Sequence, residues 1–180
     1  MDKMSWIDEQ EKVNEERRSE GFFSFVEGDN RFQLLTHCVP IAQVWDTVEK
    51  KYRIAEEGDR SISIKGVCWV LQDGKIKQAK LPYTVLKAVR ELQNDPDYAF
   101  TEFPMPRAIN VRVRNVATKE VEYSVIPSPK VVVVGAEILE ELKSKLTPEE
   151  MVERLKDSPK VAQGQPLKYP EGPHLEDIPF

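Results

Sequence analysis

The chain has 180 residues, of which 40% are hydrophobic and 32% charged, with a mean hydropathy of −0.50. This length predicts one domain with appendages. No apolar run approaches the roughly 18 residues of a membrane helix, and the charged first 20 residues lack the apolar region of a secretory signal. Cys38 and Cys68 are too few for a disulfide framework or a Cys-rich zinc site, so we expect a cytoplasmic protein.

Charge is distributed unevenly along the chain. Residues 1–30 hold 4 basic and 9 acidic side chains, residues 31–130 hold 16 and 12, and residues 131–180 hold 6 and 10. A basic middle segment can bind a polyanion, and acidic ends can compete for the same surface or recruit another partner. The pattern makes nucleic acid one candidate ligand, although ordinary mixed surfaces also vary by a few charges.

The first half of the chain reads as strands separated by turns. Residues 31–37 are strand-like, and an irregular segment follows them. Residues 61–71 alternate in polarity, which predicts the longest strand. Asp73-Gly74 predicts a tight hairpin into a return strand at residues 75–81, because both central turn residues must accept positive φ.

The next elements suggest a fold. A helix is predicted after Pro82, because apolar residues recur there at helical spacing, and two strands follow at residues 107–116 and 121–126. The predicted elements are three strands, a helix and two more strands. This is the element order of a five-stranded OB barrel, with the helix between strands 3 and 4. An SH3-like barrel or a small α+β sheet would also fit. We predict a mainly β protein with an OB barrel.

The C-terminal part is predicted to be helical and then disordered. Residues 131–134 are apolar, and two short helices follow; the second opens with the capping-box pattern Thr147-Pro148-Glu149-Glu150. Recurring prolines and lost apolar periodicity predict an extended acidic tail. The predicted organisation is a polar arm at 1–20, an OB domain at 21–135, helices at 136–158 and a disordered tail at 159–180.

Outward-facing cations and aromatic rings are the candidate nucleic-acid contacts. Arginine can contact phosphates and stack on bases, and a tryptophan can stack an unpaired base for about 1–3 kcal/mol. Trp69 could instead be packed under Phe22, Phe23 or Phe25, because aromatic side chains are more often buried than exposed. The predicted contacts are Trp45, Tyr52, Lys65, Trp69, Lys75, Lys77, Arg112 and Arg114.

Catalytic patterns are missing from the sequence. His37 and Cys38 are adjacent, so on a strand they would point to opposite faces rather than form a nucleophile–base pair. No phosphate-loop, zinc-protease or serine-hydrolase motif occurs. We therefore expect a protein that is not an enzyme and that uses no cofactor or metal.

The last five residues form a peptide motif. Two acids, Glu176 and Asp177, precede Ile178, Pro179 and the aromatic Phe180. A basic rim can bind the acids and the carboxylate while a pocket takes the ring. This tip resembles the acidic tip of bacterial single-stranded DNA-binding proteins, which docks replication and repair partners. The resemblance implies that residues 176–180 bind such partner proteins.

A second resemblance rests on several short stretches of the predicted OB domain. These are residues 32–35, 67–70, 75–77, 84–89, 98, 110–113 and 122–125. Through them, residues 21–135 resemble phage-encoded OB-fold single-stranded DNA-binding proteins. The resemblance implies cofactor-free coating of exposed strands, without strong sequence preference, during DNA replication, recombination and repair, in the host cytoplasm if the protein is phage-encoded. The alternatives are a protein-interaction adaptor of a replication or transcription complex and an RNA-binding OB module.

Overall fold

The computed structural model describes residue 12 and residues 21–116, 118 and 120–157. The predicted arm at residues 1–20, apart from residue 12, and the predicted tail at 159–180 lie outside the described residues. The elements in chain order are β1 Gly28–Leu34, β2 Val39–Asp46, β3 Lys51–Ile54, β4 Ser63–Gln72, β5 Lys75–Pro82, α1 Tyr83–Asn94, β6 Ile109–Arg114, β7 Glu122–Pro127, α2 Ala136–Lys143 and α3 Pro148–Asp157.

These seven strands form one antiparallel sheet around β4. β5 pairs with one edge of β4, while β1 and β2 share its other edge. β2 also pairs with β3, and β1 also pairs with β6, which in turn pairs with β7. The prediction of a mainly β protein is therefore confirmed, and the longest predicted strand lies at the centre of the sheet.

The predicted hairpin at Asp73-Gly74 joins β4 to β5. Both turn residues have positive φ, 51° and 72°, which is the geometry that matches the twist of the flanking strands. The strands pair continuously from Gln72 opposite Lys75 to Lys65 opposite Pro82. Pro82 then serves as the extended N-cap of α1, and the helix follows it.

One face of the sheet, the inner face, packs against α1 to form the main core. Its buried side chains come from β1, β4, β5 and β6, together with Val85 and Val89 of α1. Gly66 permits this close packing, because a Cβ at that position would lie 2.7 Å from Leu86 Cδ2 and 2.9 Å from Cys38 Cβ. A larger residue at position 66 would therefore displace α1 or the turn between β1 and β2.

The opposite face, the outer face, is covered at its centre by α2 and α3. Met151 and Val152 of α3 pack on Ile41 of β2 and Val67 of β4, and α2 packs over Leu35 beside them. The apolar stripes of two short helices thus bury sheet surface that would otherwise face water. Side chains of β4 are therefore covered on both faces of the sheet.

The C-terminal helices form where the sequence predicts them. In the capping box of α3, Thr147 N donates to Glu150 Oε2 at 2.7 Å, and Glu150 N donates to Thr147 Oγ1 at 3.2 Å. Residues 131–134 run extended without joining a strand, and Val132 N donates to Pro106 O at 2.8 Å. The chain thereby crosses from the end of β7 to α2.

The sheet does not close, so the predicted closed barrel of five strands is corrected to an open sheet of seven. Residues 21–25 lie between β5 and β7. Phe23 N donates to Gln78 O of β5, and Gln78 N donates to Gly21 O, both at 2.8 Å. The ring of Phe25 lies 5.4 Å from that of Tyr123 in β7. At Gln78, the edge of β5 that faces away from β4 is therefore bonded to this segment and not to another strand.

β2 and β3 are the two strands that the sequence analysis missed, and they occupy the segment predicted to be irregular. Their turn is held by Asp46, whose Oδ1 accepts hydrogen bonds from Val48 N at 2.9 Å and Glu49 N at 3.0 Å. β1 also ends at Leu34, earlier than predicted, because the chain turns there to start β2 along the same edge of β4.

Candidate nucleic-acid interface

Most of the predicted contact residues lie on the outer face. Residues paired directly in antiparallel strands share a face, and the register pairs Trp45 with Tyr52 and Arg112 with Asp29. The alternation along each strand extends this face across β1, β2, β3, β4 and β6. The predicted contacts that it carries are Trp45, Tyr52, Lys65, Trp69, Arg112 and Arg114.

Lys75 and Lys77 are the exceptions. The hairpin register turns the odd-numbered residues of β5 toward the inner face. Lys77 is buried, and its Nζ donates to Gln72 Oε1 at 3.0 Å. The prediction that these two lysines face outward together with Lys65 and Trp69 is therefore wrong.

Trp69 lies at the covered centre of the outer face and is half-buried. Its Nε1 donates a 2.8 Å hydrogen bond to Leu146 O, and Lys145 Nζ lies 5.3 Å from the centroid of its ring. The cover comes from α2, α3 and their connection. It does not come from the N-terminal phenylalanines, since Phe23 and Phe25 belong to the inner-face core. In this arrangement the indole packs against the C-terminal helices as part of the fold.

Trp45 and Tyr52 form an aromatic pair at one end of the outer face. They are opposite each other on β2 and β3, and their ring centroids are 5.1 Å apart in an edge-to-face arrangement. The predicted contact Lys65 is buried, and its Nζ lies 6.0 Å from the centroid of the Tyr52 ring. Both rings are half-buried, so each keeps some surface that a planar ligand could contact.

The arginine patch, Arg31, Arg112 and Arg114, lies at the other end of this face. All three side chains are exposed on β1 and β6. Arg112 Nε donates to Asp29 Oδ1 at 2.8 Å. Hydrogen bonds from Arg112 and then from Asn110 lower the pKa of Asp29, and the carboxylate in turn raises the pKa of Arg112. The patch therefore combines fixed positive charge with one acidic partner.

A cavity of about 200 Å³ adjoins the arginine patch. Arg31, Asn110 and Ile126 stand side by side across β1, β6 and β7 and form part of its lining. Asn110 Oδ1 is buried and has no hydrogen-bond partner among the described residues. Sequence reasoning missed this cavity. The sequence signal for it was Ile126, an apolar residue at a position where the alternation of β7 predicts an outward-facing side chain. In the structure Ile126 is 46% exposed.

Comparisons of the chain with protein-family models, curated proteins and solved structures find no match. Within the described ranges, no group of three or more His, Cys, Asp or Glu side chains could hold a metal ion. No helix in that part of the chain is long and apolar enough to cross a membrane.

The predicted partner-binding tip, Glu176 to Phe180, lies outside the described residues. The last described element, α3, packs on the outer face and ends at Asp157. The described chain therefore ends with a helix on the side of the sheet that carries the arginine patch and the aromatic pair.

Proposed function

We propose that this protein binds single-stranded DNA through the outer face of its sheet and coats it without strong sequence preference, during replication, recombination and repair. The observation that carries the proposal is that cationic and aromatic side chains from separate strands share this one face. Arginine binds phosphate oxygens through its planar fork, and aromatic rings stack on bases of any identity. Neither contact reads the base sequence.

The arginine patch is proposed to hold the backbone of the strand. Arg31 and Arg114 flank the ion pair between Arg112 and Asp29, so several guanidinium groups lie along two neighbouring strands. A bound phosphate would compete with Asp29 for Arg112. The aromatic pair would stack bases at the opposite end of the face, whereas Trp69 would contribute by holding α2 and α3 in place.

For the fold, we propose an OB-type sheet that residues 21–25 keep open. Three features of the element order support this. The strands β1, β4 and β5 precede α1, and the strands β6 and β7 follow it. The strands β2 and β3 form a hairpin that can be read as an insertion into this order. The OB architecture is itself a partly open barrel that binds oligonucleotides through one strand face and its flanking loops. In this proposal, the outer face and the turn between β6 and β7 form the interface.

We also propose that the tail recruits replication and repair proteins through residues 176–180 and competes with DNA for the outer face. Residues 131–180 hold 6 basic and 10 acidic side chains, and the described chain ends on that face at Asp157. When DNA occupies the arginine patch, the acidic tail would be displaced and available to partners.

The test is the binding of a fluorescent 30-mer oligonucleotide across a salt series. About three phosphate contacts at about 0.7 each predict a slope of log affinity against log salt near −2 for a single strand. Arg114→Ala should make the slope shallower by about 0.7, whereas the matched control Arg90→Ala, on exposed α1 surface, should leave it unchanged.

Each rival has its own outcome in this experiment. A slope near zero, or no binding, would support a protein-interaction adaptor instead. Tighter binding of an equal-length RNA strand would support an RNA-binding module, since the 2′-hydroxyl is the group that distinguishes the two. Deleting residues 171–180 should raise DNA affinity at low salt and abolish partner capture. If it changed neither, the tail proposal would fail.

A further inference from the structure

We infer that Cys38 and Cys68 form a modification site, at which a small-molecule disulfide oxidises the pair to a reversible disulfide bond within the chain. The inference does not depend on the proposed binding of DNA. It comes from the register of the sheet, which places the two cysteines of the sequence opposite each other on the inner face.

The register of β2 and β4 brings the two residues together. The last pair of this register is Val39 opposite Val67, and one residue further it places Cys38 opposite Cys68. Cys68 belongs to the main core, and Cys38 packs against that core. A Cβ at Gly66, two residues before Cys68 on the same face, would lie 2.9 Å from Cys38 Cβ. The side chain of Cys38 therefore lies on the inner face, beside Cys68.

The spacing at this position suits a disulfide. Trp69 O accepts a hydrogen bond from Leu35 N at 2.9 Å, and Trp69 N donates to Thr36 Oγ1 at 3.0 Å. The backbone groups of Trp69 therefore point toward β1 and β2, and those of the preceding residue, Cys68, point toward β5. Opposed residues whose backbone groups do not bond to each other have Cα atoms about 4.5 Å apart. Disulfides span Cα separations of about 4.4–6.8 Å.

The two thiols contact each other and differ in their access to solvent. Their side chains are hydrogen-bonded, and this contact, together with burial, raises the pKa of Cys68 well above its usual range. Cys68 is fully buried, whereas Cys38 is half-buried in the connection between β1 and β2. A thiol reacts as its thiolate and only where a reagent can reach it. Cys38 is therefore the thiol that meets the oxidant, and Cys68 is the thiol that reacts second.

The proposed reaction is thiol–disulfide exchange in two steps. First, Cys38 loses its proton to solvent and its thiolate attacks one sulfur of oxidised glutathione; the S–S bond of the reagent breaks, and one glutathione leaves. Then the sulfur of Cys68 attacks that of Cys38, and the second glutathione leaves with the proton of Cys68. The two protein thiols lose two electrons and two protons, which reduce the small disulfide to two thiols.

The bond would close a loop that contains β2, β3 and the first part of β4. A cross-link restricts the unfolded chain, and the restriction grows with the length of the loop. The urea midpoint of the oxidised protein should therefore lie about 1 M above that of the reduced protein. The loop includes the aromatic pair, so oxidation would tie the start of the hairpin that carries it to β4.

The experiment incubates the reduced chain with mixtures of reduced and oxidised glutathione, alkylates the remaining thiols with iodoacetamide in urea and measures the intact mass. The expected product is an unalkylated monomer that is two hydrogens lighter than the reduced chain. Digestion should leave the peptides of Cys38 and Cys68 joined, and excess reduced glutathione should restore both thiols. No reaction, a product that stops at the glutathione adduct, or a disulfide between two chains would each overturn the inference.

Two variants assign the roles of the thiols. In Cys68→Ala the reaction should stop at the glutathione adduct of Cys38, because the second thiol is gone. In Cys38→Ala the folded protein should form no adduct, because Cys68 is buried, whereas the same variant unfolded in urea should form one. An adduct on Cys68 in the folded variant would overturn this assignment. The measurement on the unaltered protein does not depend on whether either variant folds.

Discussion

The covered centre of the outer face and the arginine patch contain similar strands but have different surroundings. Trp69 on β4 and Arg112 on β6 both point outward from the sheet. Above Trp69 lie α2 and α3, and its indole bonds to Leu146 O. No described helix lies over Arg112, whose side chain is 44% exposed.

The difference shows that alternation and exposure are separate properties. Alternation along a strand determines which face a side chain joins. Whether that face meets water depends on what later parts of the chain pack on it. One face can therefore hold a structural tryptophan at its centre and candidate ligand contacts at its ends.

The largest expected effect concerns stability. Trp69→Ala should lower the free energy of unfolding by about 3 kcal/mol, because it removes a large packed ring and leaves Leu146 O without its donor. Trp45→Ala, at the end of the face, should cost about 1 kcal/mol. Urea denaturation of both variants measures the difference. Equal stability losses in the two variants would mean that the centre of the outer face is no more tightly packed than its end at Trp45.

A smaller effect concerns binding at the arginine patch. Asp29→Ala removes the acidic partner of Arg112, so the affinity for a single-stranded oligonucleotide should rise about two- to fivefold at low salt. Stability should change by less than about 0.5 kcal/mol, because the ion pair is exposed. Anisotropy titrations and urea denaturation measure the two quantities. An unchanged affinity would place the DNA elsewhere on the protein.

The smallest effect concerns the β2–β3 hairpin, which carries the aromatic pair. Arg53 donates to both carboxylate oxygens of Asp59, at 2.7 and 2.8 Å, and this contact lowers the pKa of Asp59 to about 2. A carboxyl group with a lowered pKa stabilises the fold above its ordinary pKa of 3.8, and this contribution is lost as the pH falls toward 2. Asp59→Asn should therefore lower the urea midpoint at pH 7 and matter little at pH 2. A constant difference between the two proteins would contradict the pairing.

Local features of the fold could be predicted because they depend on neighbouring residues. Asp73-Gly74 specifies its hairpin through positive φ, and Thr147 with Glu150 specifies the capping box. The faces of Lys75 and Lys77 could also have been derived. A two-residue turn pairs Lys75 with Gln72 and so places both lysines on the inner face, where Lys75 stays exposed at the strand end and Lys77 is buried.

Other features depend on contacts between distant segments and could not be predicted. The outer edge of β5 pairs with no further strand, and its Gln78 instead bonds to Gly21 and Phe23, more than 50 residues earlier in the chain. Trp69 is covered because α2 and α3, about 70 residues later in the chain, pack on β4. The cavity at Asn110 likewise needs three strands in register.

The most direct test of the proposed interface is to titrate the ¹⁵N-labelled protein with a single-stranded oligonucleotide and follow the amide and indole N–H signals. We predict the largest chemical-shift changes at the strand positions of Arg31, Asn110, Arg112 and Arg114, with the Trp69 indole signal unchanged. Changes centred on Trp69 and the C-terminal helices, or no changes at all, would contradict binding of DNA by the arginine patch.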